Sequence, residues 1–221
     1  GIIMLSLEHE FNWSRETISG AVSVNLLLFG LAGPFLGRLM DLYGTKAITL
    51  IMITLVTLGA GGSIFMQEPW QLYLCWGVVI GAGSGGTSIV MGSAVVNRWF
   101  QQRRGLALGI LGAAFSSGQL IFTPLIMHLY IDVGWRAATL FITVLLGLIV
   151  LPLVMIFMAD DPVLKGIQPY GASDVAVSVM PPDPKPMRSA MVNSQFWLLA
   201  FSFGICGFTT SGLLQTHLIS H

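Results

Sequence analysis

Six stretches of this chain contain no Asp, Glu, Lys or Arg: Thr17–Gly37, Ala47–Gln67, Pro69–Asn97, Gly105–Ile131, Ala137–Ala159 and Met191 to the end. A helix needs ~20 apolar residues at about 1.5 Å each to cross ~30 Å of hydrocarbon. Every one of the six is long enough. Gly1–Leu7 is apolar as well and reads as the tail of an earlier helix. The prediction is one partial helix followed by six more, numbered here as the first to the seventh. Only 9% of the residues are charged and 54% are hydrophobic, where a soluble domain carries about 25% charge. Ten Lys+Arg against ten Asp+Glu leave no basic excess, which argues against a nucleic-acid partner. The expected solvent is the lipid bilayer.

The charges collect between the runs. The connections Arg38–Lys46, Arg98–Arg104 and Lys165–Arg188 hold eight of the ten Lys+Arg, and the alternate connections hold only Arg15 and Arg136. The positive-inside rule assigns the first set to the cytoplasm. The truncated first helix then runs outward from a cytoplasmic N-terminus. The chain starts at Gly1 inside an apolar stretch and stops at His221 inside another, so it is expected to be cut at both ends.

Six of the ten prolines fall within Ala159–Ala190. Proline interrupts helices and leaves an extended, solvated linker. The expected organisation is an N-terminal bundle over 1–158, a cytoplasmic Pro-rich linker over 159–194, and the first helix of a second bundle over 195–221. Cys75 and Cys206 each sit in an apolar run and read as buried thiols.

Gly81-Ala-Gly83-Ser-Gly85-Gly86 fits G-x-G-x-x-G, but no acid follows until Asp132 and the string lies inside an uncharged run. A nucleotide fold needs a preceding strand and an acid about 20 residues on. Close helix packing is the expected role. Pairs of glycines four apart (Gly33 and Gly37, Gly77 and Gly81, Gly105 and Gly109) are expected to pack in the same way.

Between the second and third helices stands Gly37-Arg38-Leu39-Met40-Asp41-Leu42-Tyr43-Gly44-Thr45-Lys46. It resembles the G-x-L-x-D-x-x-G-x-K/R signature of the major facilitator superfamily in spacing, helix order and side. Leu42 and Thr45 replace residues usually basic there. Between the fourth and fifth helices, Trp99-Phe100-Gln-Gln-Arg103-Arg104-Gly-Leu106-Ala107-Leu-Gly109 resembles the monocarboxylate transporter family. Phe100, Arg103, Arg104, Leu106, Ala107, Gly109 and Ala113 match. Trp99 stands for a usual Tyr and Gln102 for a usual Lys. Phe11-Asn-Trp13-Ser14-Arg15, Gly33-Pro34 and Gly134-Trp135-Arg136 are similar to that family and to the bacterial oxalate–formate antiporters. An Arg usual in the fourth helix of many superfamily members is Gly77 here. The Gly-Pro pair of drug antiporters is absent from the fifth helix, where Thr123 precedes Pro124. Both departures count against a drug/proton antiporter.

The resemblance implies an all-α integral membrane fold: a six-helix bundle whose first helix is truncated, plus the first helix of a second bundle. It also implies a cytoplasmic gating loop built from Gly37, Arg38, Asp41, Gly44 and Lys46. The uncharged runs lack any group able to hold a charged solute near the bilayer midplane. His128 and His217 lie toward helix ends. The expected substrate cavity is therefore read first from amides that hydrocarbon penalises unless paired, Asn25, Gln119 and Gln215, with the hydroxyl of Thr210 beside them. Hydroxyls such as Ser84, Thr87, Ser88, Ser116, Ser117 and Thr209 can bond their own helix backbone instead.

The expected function is secondary active transport of a small monocarboxylate or other organic anion by alternating access, with proton or anion coupling taken from the resemblance. Export of hydrophobic or cationic compounds is an alternative within transport, and a non-transporting membrane sensor or scaffold is one from another class. The expected location is a bacterial inner or plasma membrane, crossed several times. No nucleotide-binding loop, metal spacing or catalytic cluster appears in the runs, so no enzyme activity, cofactor or metal is expected.

Overall fold

The computed structural model describes residues 7–8, 10–87, 89–160, 166, 168, 170–171 and 192–207. The helices are α1 (Arg15–Tyr43), α2 (Thr45–Ser63), α3 (Pro69–Trp99), α4 (Arg104–Asp132), α5 (Trp135–Phe157) and α6 (Ser194–Gly207). Within α1, the apolar stretch long enough to cross a membrane is Arg15–Gly33; α2 to α5 qualify over their whole lengths. These five match the second to sixth predicted helices. The seventh predicted helix is described only as α6, and the first lies almost wholly outside the described residues. Two compact units are present, one over Ile2–Ala172 and one over Ser173–His221.

Local chemistry sets the helix ends. Ser14 caps α1, its Oγ accepting the Thr17 N–H at 3.3 Å, which occupies one of the donors a helix start leaves open. At the far end the Gly44 N–H closes on Met40 O at 3.1 Å. Before α3, Gln71 Oε1 accepts the N–H groups of Gln67 and Glu68 at 2.6 and 3.1 Å, and Pro69 takes a first-turn position that needs no donor. Two wide π-type segments interrupt the regular helices, Tyr73–Ile80 in α3 and Leu145–Val150 in α5.

The short connections make α1 to α5 run alternately up and down. The end that carries Tyr43, Thr45, Trp99 and Arg104 is called the motif end below. Helix α3 is wedged between α1 and α2, and its glycine string does the wedging. A Cβ at Gly81 would lie 2.9 Å from the Asn25 backbone, and one at Gly85 2.8 Å from Ala32 Cβ, both on α1. One at Gly83 would lie 2.7 Å from Val56, and one at Gly86 2.5 Å from Met52, both on α2. No side chain fits at these points, so the string is a packing stripe, as the absence of a nearby acid led one to expect. The other predicted pairs divide. Gly77 approaches Val24 and Ala21 of α1, but Gly33, Gly37, Gly105 and Gly109 have nothing within 4 Å. Their faces are not covered within this unit.

Burial concentrates at the two ends. At the motif end Leu36, Met40, Ile48 and Met52 pack together. At the opposite end Leu7, Ile18, Met66, Leu72, Tyr130 and Trp135 form a larger cluster. Helix α4 is exposed along nearly its whole length, with only Tyr130 buried. An apolar surface of this kind suits a chain whose solvent is hydrocarbon.

Candidate functional site

The string expected to form a loop at Gly37–Lys46 is mostly helical. Gly37, Arg38 and Asp41 occupy the last turns of α1, Lys46 lies in the first turn of α2, and the connection is Gly44 alone. Gly44 has φ +89°, a conformation that L side chains rarely adopt. The chain therefore reverses over one residue, and Asp41 is held on a rigid helix end rather than on a mobile loop.

Asp41 Oδ1 accepts from Arg98 Nη2 at 3.0 Å, and the same nitrogen reaches Met40 O at 3.4 Å. Arg98 lies in the last turn of α3. The pair thus ties the ends of α1 and α3. The Asp41 side chain is 79% exposed and that of Arg98 23%. An ion pair this open contributes at most about 1 kcal/mol. A contact of that strength can be broken and remade without threatening the fold. Arg38 is exposed and makes no ion pair among the described residues.

The start of α2 is held differently. Its first-turn Lys46 N–H donates to Asp160 Oδ1 at 2.6 Å, across 114 positions of sequence. Asp160 stands just after α5. A carboxylate at a helix N-terminus occupies an open donor and opposes the positive end of the helix dipole. Sequence reasoning counted Asp160 only as part of the linker and Arg98 only as a member of the basic set. The available signal was an acid placed directly after an apolar run, which specifies no partner.

The connection from α3 to α4 carries the second string. Phe100 stacks at a tilt on Tyr170, with ring centroids 6.0 Å apart. Arg103 takes a left-handed conformation (φ +56°) and caps the start of α4. Arg104 Nε donates to Phe100 O at 2.7 Å. Leu106, Ala107 and Gly109 follow on α4; Leu106 is exposed and Gly109 faces open space.

Of the expected cavity residues, Asn25 donates from Nδ2 to Trp76 O in the π-type segment of α3, at 2.6 Å. Its amide therefore joins two helices. Gln119 is exposed on α4. Thr210 and Gln215 lie outside the described residues, as do Ser88, Thr209 and His217. Ser84 and Thr87 bond their own helix through Gly81 O and Ser84 O. Ser116 and Ser117 are exposed on α4.

At the opposite end two further strings meet. The Trp135 indole N–H donates to Glu10 Oε2, and Arg136 Nη1 reaches Glu10 Oε1 at 2.8 Å. Phe11 stacks on Trp13 with centroids 4.5 Å apart and meets Trp135 edge-on. The Arg136 guanidinium lies 5.1 Å from the Trp135 ring centre, within cation–π range. Arg15 pairs with Glu8 at 3.0 Å. Sequence reading noted both strings but not their contact, nor the part played by Glu10.

The family model of the Major Facilitator Superfamily matches residues 1–221, the entire chain. The chain belongs to this superfamily. Among its curated relatives, the MFS-type transporter YcxA of Bacillus subtilis is 26% identical over 98% of the chain and 51% of the relative. The MFS-type transporter hasB of Aspergillus fumigatus is 27% identical over 90% of the chain and 43% of the relative. Human monocarboxylate transporter 14 is 29% identical over 63% of the chain and 27% of the relative. The chain thus spans about half the length, or less, of the curated relatives it matches. This superfamily member is an integral membrane protein, and these relatives are named as transporters, not as enzymes.

Proposed function

We propose that this superfamily member is part of a secondary transporter that moves a small monocarboxylate or related organic anion by alternating access, coupled to a proton or an exchanged anion. The observation that carries the reading is the agreement of four strings with one branch of the superfamily, alongside a relative named as a monocarboxylate transporter that aligns over 63% of the chain. In this reading the motif end is cytoplasmic, as the eight-to-two division of Lys+Arg indicates. Residues 1–158 form the first bundle, 159–194 link it to a second, and 195–221 begin that second bundle. The membrane is a bacterial inner or plasma membrane.

Alternating access needs contacts that exist in one state and break in the other. The exposed Asp41–Arg98 pair has the strength for that task, and Arg38 and Lys46 supply further charge beside it. The charged group that holds the anion lies outside the described helices, and Asn25 and Gln119 serve as polar flanks of the cavity. Counterflow in proteoliposomes, with labelled formate, lactate, pyruvate and oxalate and with or without an imposed pH gradient, tests the proposal. Saturable exchange of at least one acid is expected. No exchange of any of the four rejects the cargo class.

A further inference from the structure

Both connections at the motif end are touched by the segment that follows α5. Its first contact is the Asp160 carboxylate on the Lys46 N–H, at 2.6 Å. The residue at the N-cap position of α2, Gly44, two before that donor, has no side chain with which to cap the helix, and it could not carry one. A Cβ there would lie 2.7 Å from Asp160 Oδ1, and the backbone φ of +89° disfavours any L residue. The cap that neighbouring sequence cannot supply comes from a residue 114 positions away, just after the last helix of the bundle.

Ten residues later the same segment pairs with the α3–α4 connection. The Tyr170 N–H donates to Trp99 O at 2.9 Å, and Tyr170 O accepts from Gln101 and Gln102 at 3.0 and 3.3 Å. The Tyr170 ring lies on Phe100. Gly171 follows at φ +79°, where a Cβ would strike the Gln102 side chain at 2.6 Å. A solvated exit from a helix needs none of this. Asp160 sets where α2 begins, and α2 begins one residue after the turn that orients Asp41. Tyr170 fixes the stretch just after Trp99, next to Arg98. The two anchors therefore hold the two elements that bring Asp41 and Arg98 together.

We infer that Asp160 and the Tyr170–Gly171 pair act together as a two-point strap that positions the Asp41–Arg98 latch. Asp160 and Tyr170 are positioning residues, acting through the latch rather than on the cargo. The kinetic part of this inference rests on the transport reading above; the structural part does not.

The test uses the full-length protein reconstituted in lipid, with Asp160→Ala, Asp160→Asn and Gly171→Val. Hydrogen exchange read by mass spectrometry reports the anchors directly. Asp160→Ala is expected to speed exchange in the peptide covering Thr45–Thr49 about fivefold, the factor that a lost helix cap implies. Gly171→Val is expected to speed exchange at Gln101 and Gln102. In uptake assays Asp160→Ala lowers the maximal rate several-fold with KM unchanged, and Asp160→Asn, which keeps an acceptor oxygen, restores most of it. Unaltered exchange at Thr45–Thr49 in Asp160→Ala overturns the strap. So does a rise in KM alone, or an equal loss of rate in Asn and Ala. Where Asp160→Ala does not fold, Gly171→Val decides the inference by the same exchange and rate measurements. If the parent protein moves none of the acids tested, the transport reading fails while the exchange results still judge the strap.

Discussion

Gly85→Ala adds one methyl group at the place where α3 meets α1. The new carbon would lie 2.8 Å from Ala32 Cβ and 3.0 Å from Phe29 O. Carbon pairs are at their best separation near ~3.5 Å or beyond, so α3 must withdraw by roughly 0.7 Å. Phe29 O is backbone and cannot rotate away. Withdrawal also strains the neighbouring approach at Gly81, and the Asn25–Trp76 bond one turn further along. Overpacking of this kind costs about 1–3 kcal/mol. Against it, replacing Gly by Ala inside a helix gains about 0.5–1 kcal/mol. The net expectation is a loss of about 1–2 kcal/mol. Gly30→Ala is the control, because Gly30 lies on α1 with nothing within 4 Å and should show the helix gain alone. Thermal unfolding in detergent micelles, followed by tryptophan fluorescence, reads both. At about 2–4 °C per kcal/mol, Gly85→Ala should lower Tm by about 2–8 °C and Gly30→Ala should raise it by about 1–4 °C. If Gly85→Ala raised Tm as Gly30→Ala does, the wedge between α1 and α2 would be wrong.

Three further outcomes follow from the contacts described. Asp41→Asn removes the charge opposite Arg98 and should lower uptake in proteoliposomes while leaving expression and Tm nearly unchanged, since the pair is worth at most about 1 kcal/mol; an unchanged uptake rate would refute its role as a latch. Glu10→Ala strands the indole N–H of Trp135, which is 4% exposed, and should cost about 1–3 kcal/mol, seen as a lower Tm and a red-shifted tryptophan emission; an unaltered melt would remove Glu10 from the packing account. Asn25→Leu keeps the volume but loses the bond to Trp76 O, and should cost roughly 0.6–2 kcal/mol, the range for polar contacts between membrane helices; an unchanged Tm would remove the bond from the packing account.

The second to sixth expected helices were legible because lipid imposes one rule that acts on single segments: about twenty residues without charge. Thr45–Ser63 and Trp135–Phe157 fall where Ala47–Gln67 and Ala137–Ala159 were expected, within a few residues at each end. The role of the Gly81–Gly86 string was legible as well, since the acid that a nucleotide site needs is missing. The Gly37–Lys46 string reads as a loop in sequence but is mostly helical, because nothing local says that α1 continues through Asp41 to Tyr43. Asn25 stood out as a polar residue in hydrocarbon, yet only the neighbouring helix supplies Trp76 O as its partner.

The sequence by itself determined that this chain crosses a membrane repeatedly, which strings mark its family, and that its charges collect between the apolar runs. Each of these is a property of a segment read in isolation, and the energy of burying a charge in hydrocarbon enforces it. Only the tertiary structure decided which polar and charged groups meet. Asp41 finds Arg98 57 positions away, Lys46 finds Asp160 114 positions away, and Glu10 finds Trp135 125 positions away. Those partners are fixed by how α3 wedges between α1 and α2 and by where α5 ends, because an ion pair or a helix cap depends on distances of about 3 Å that no spacing along the chain encodes.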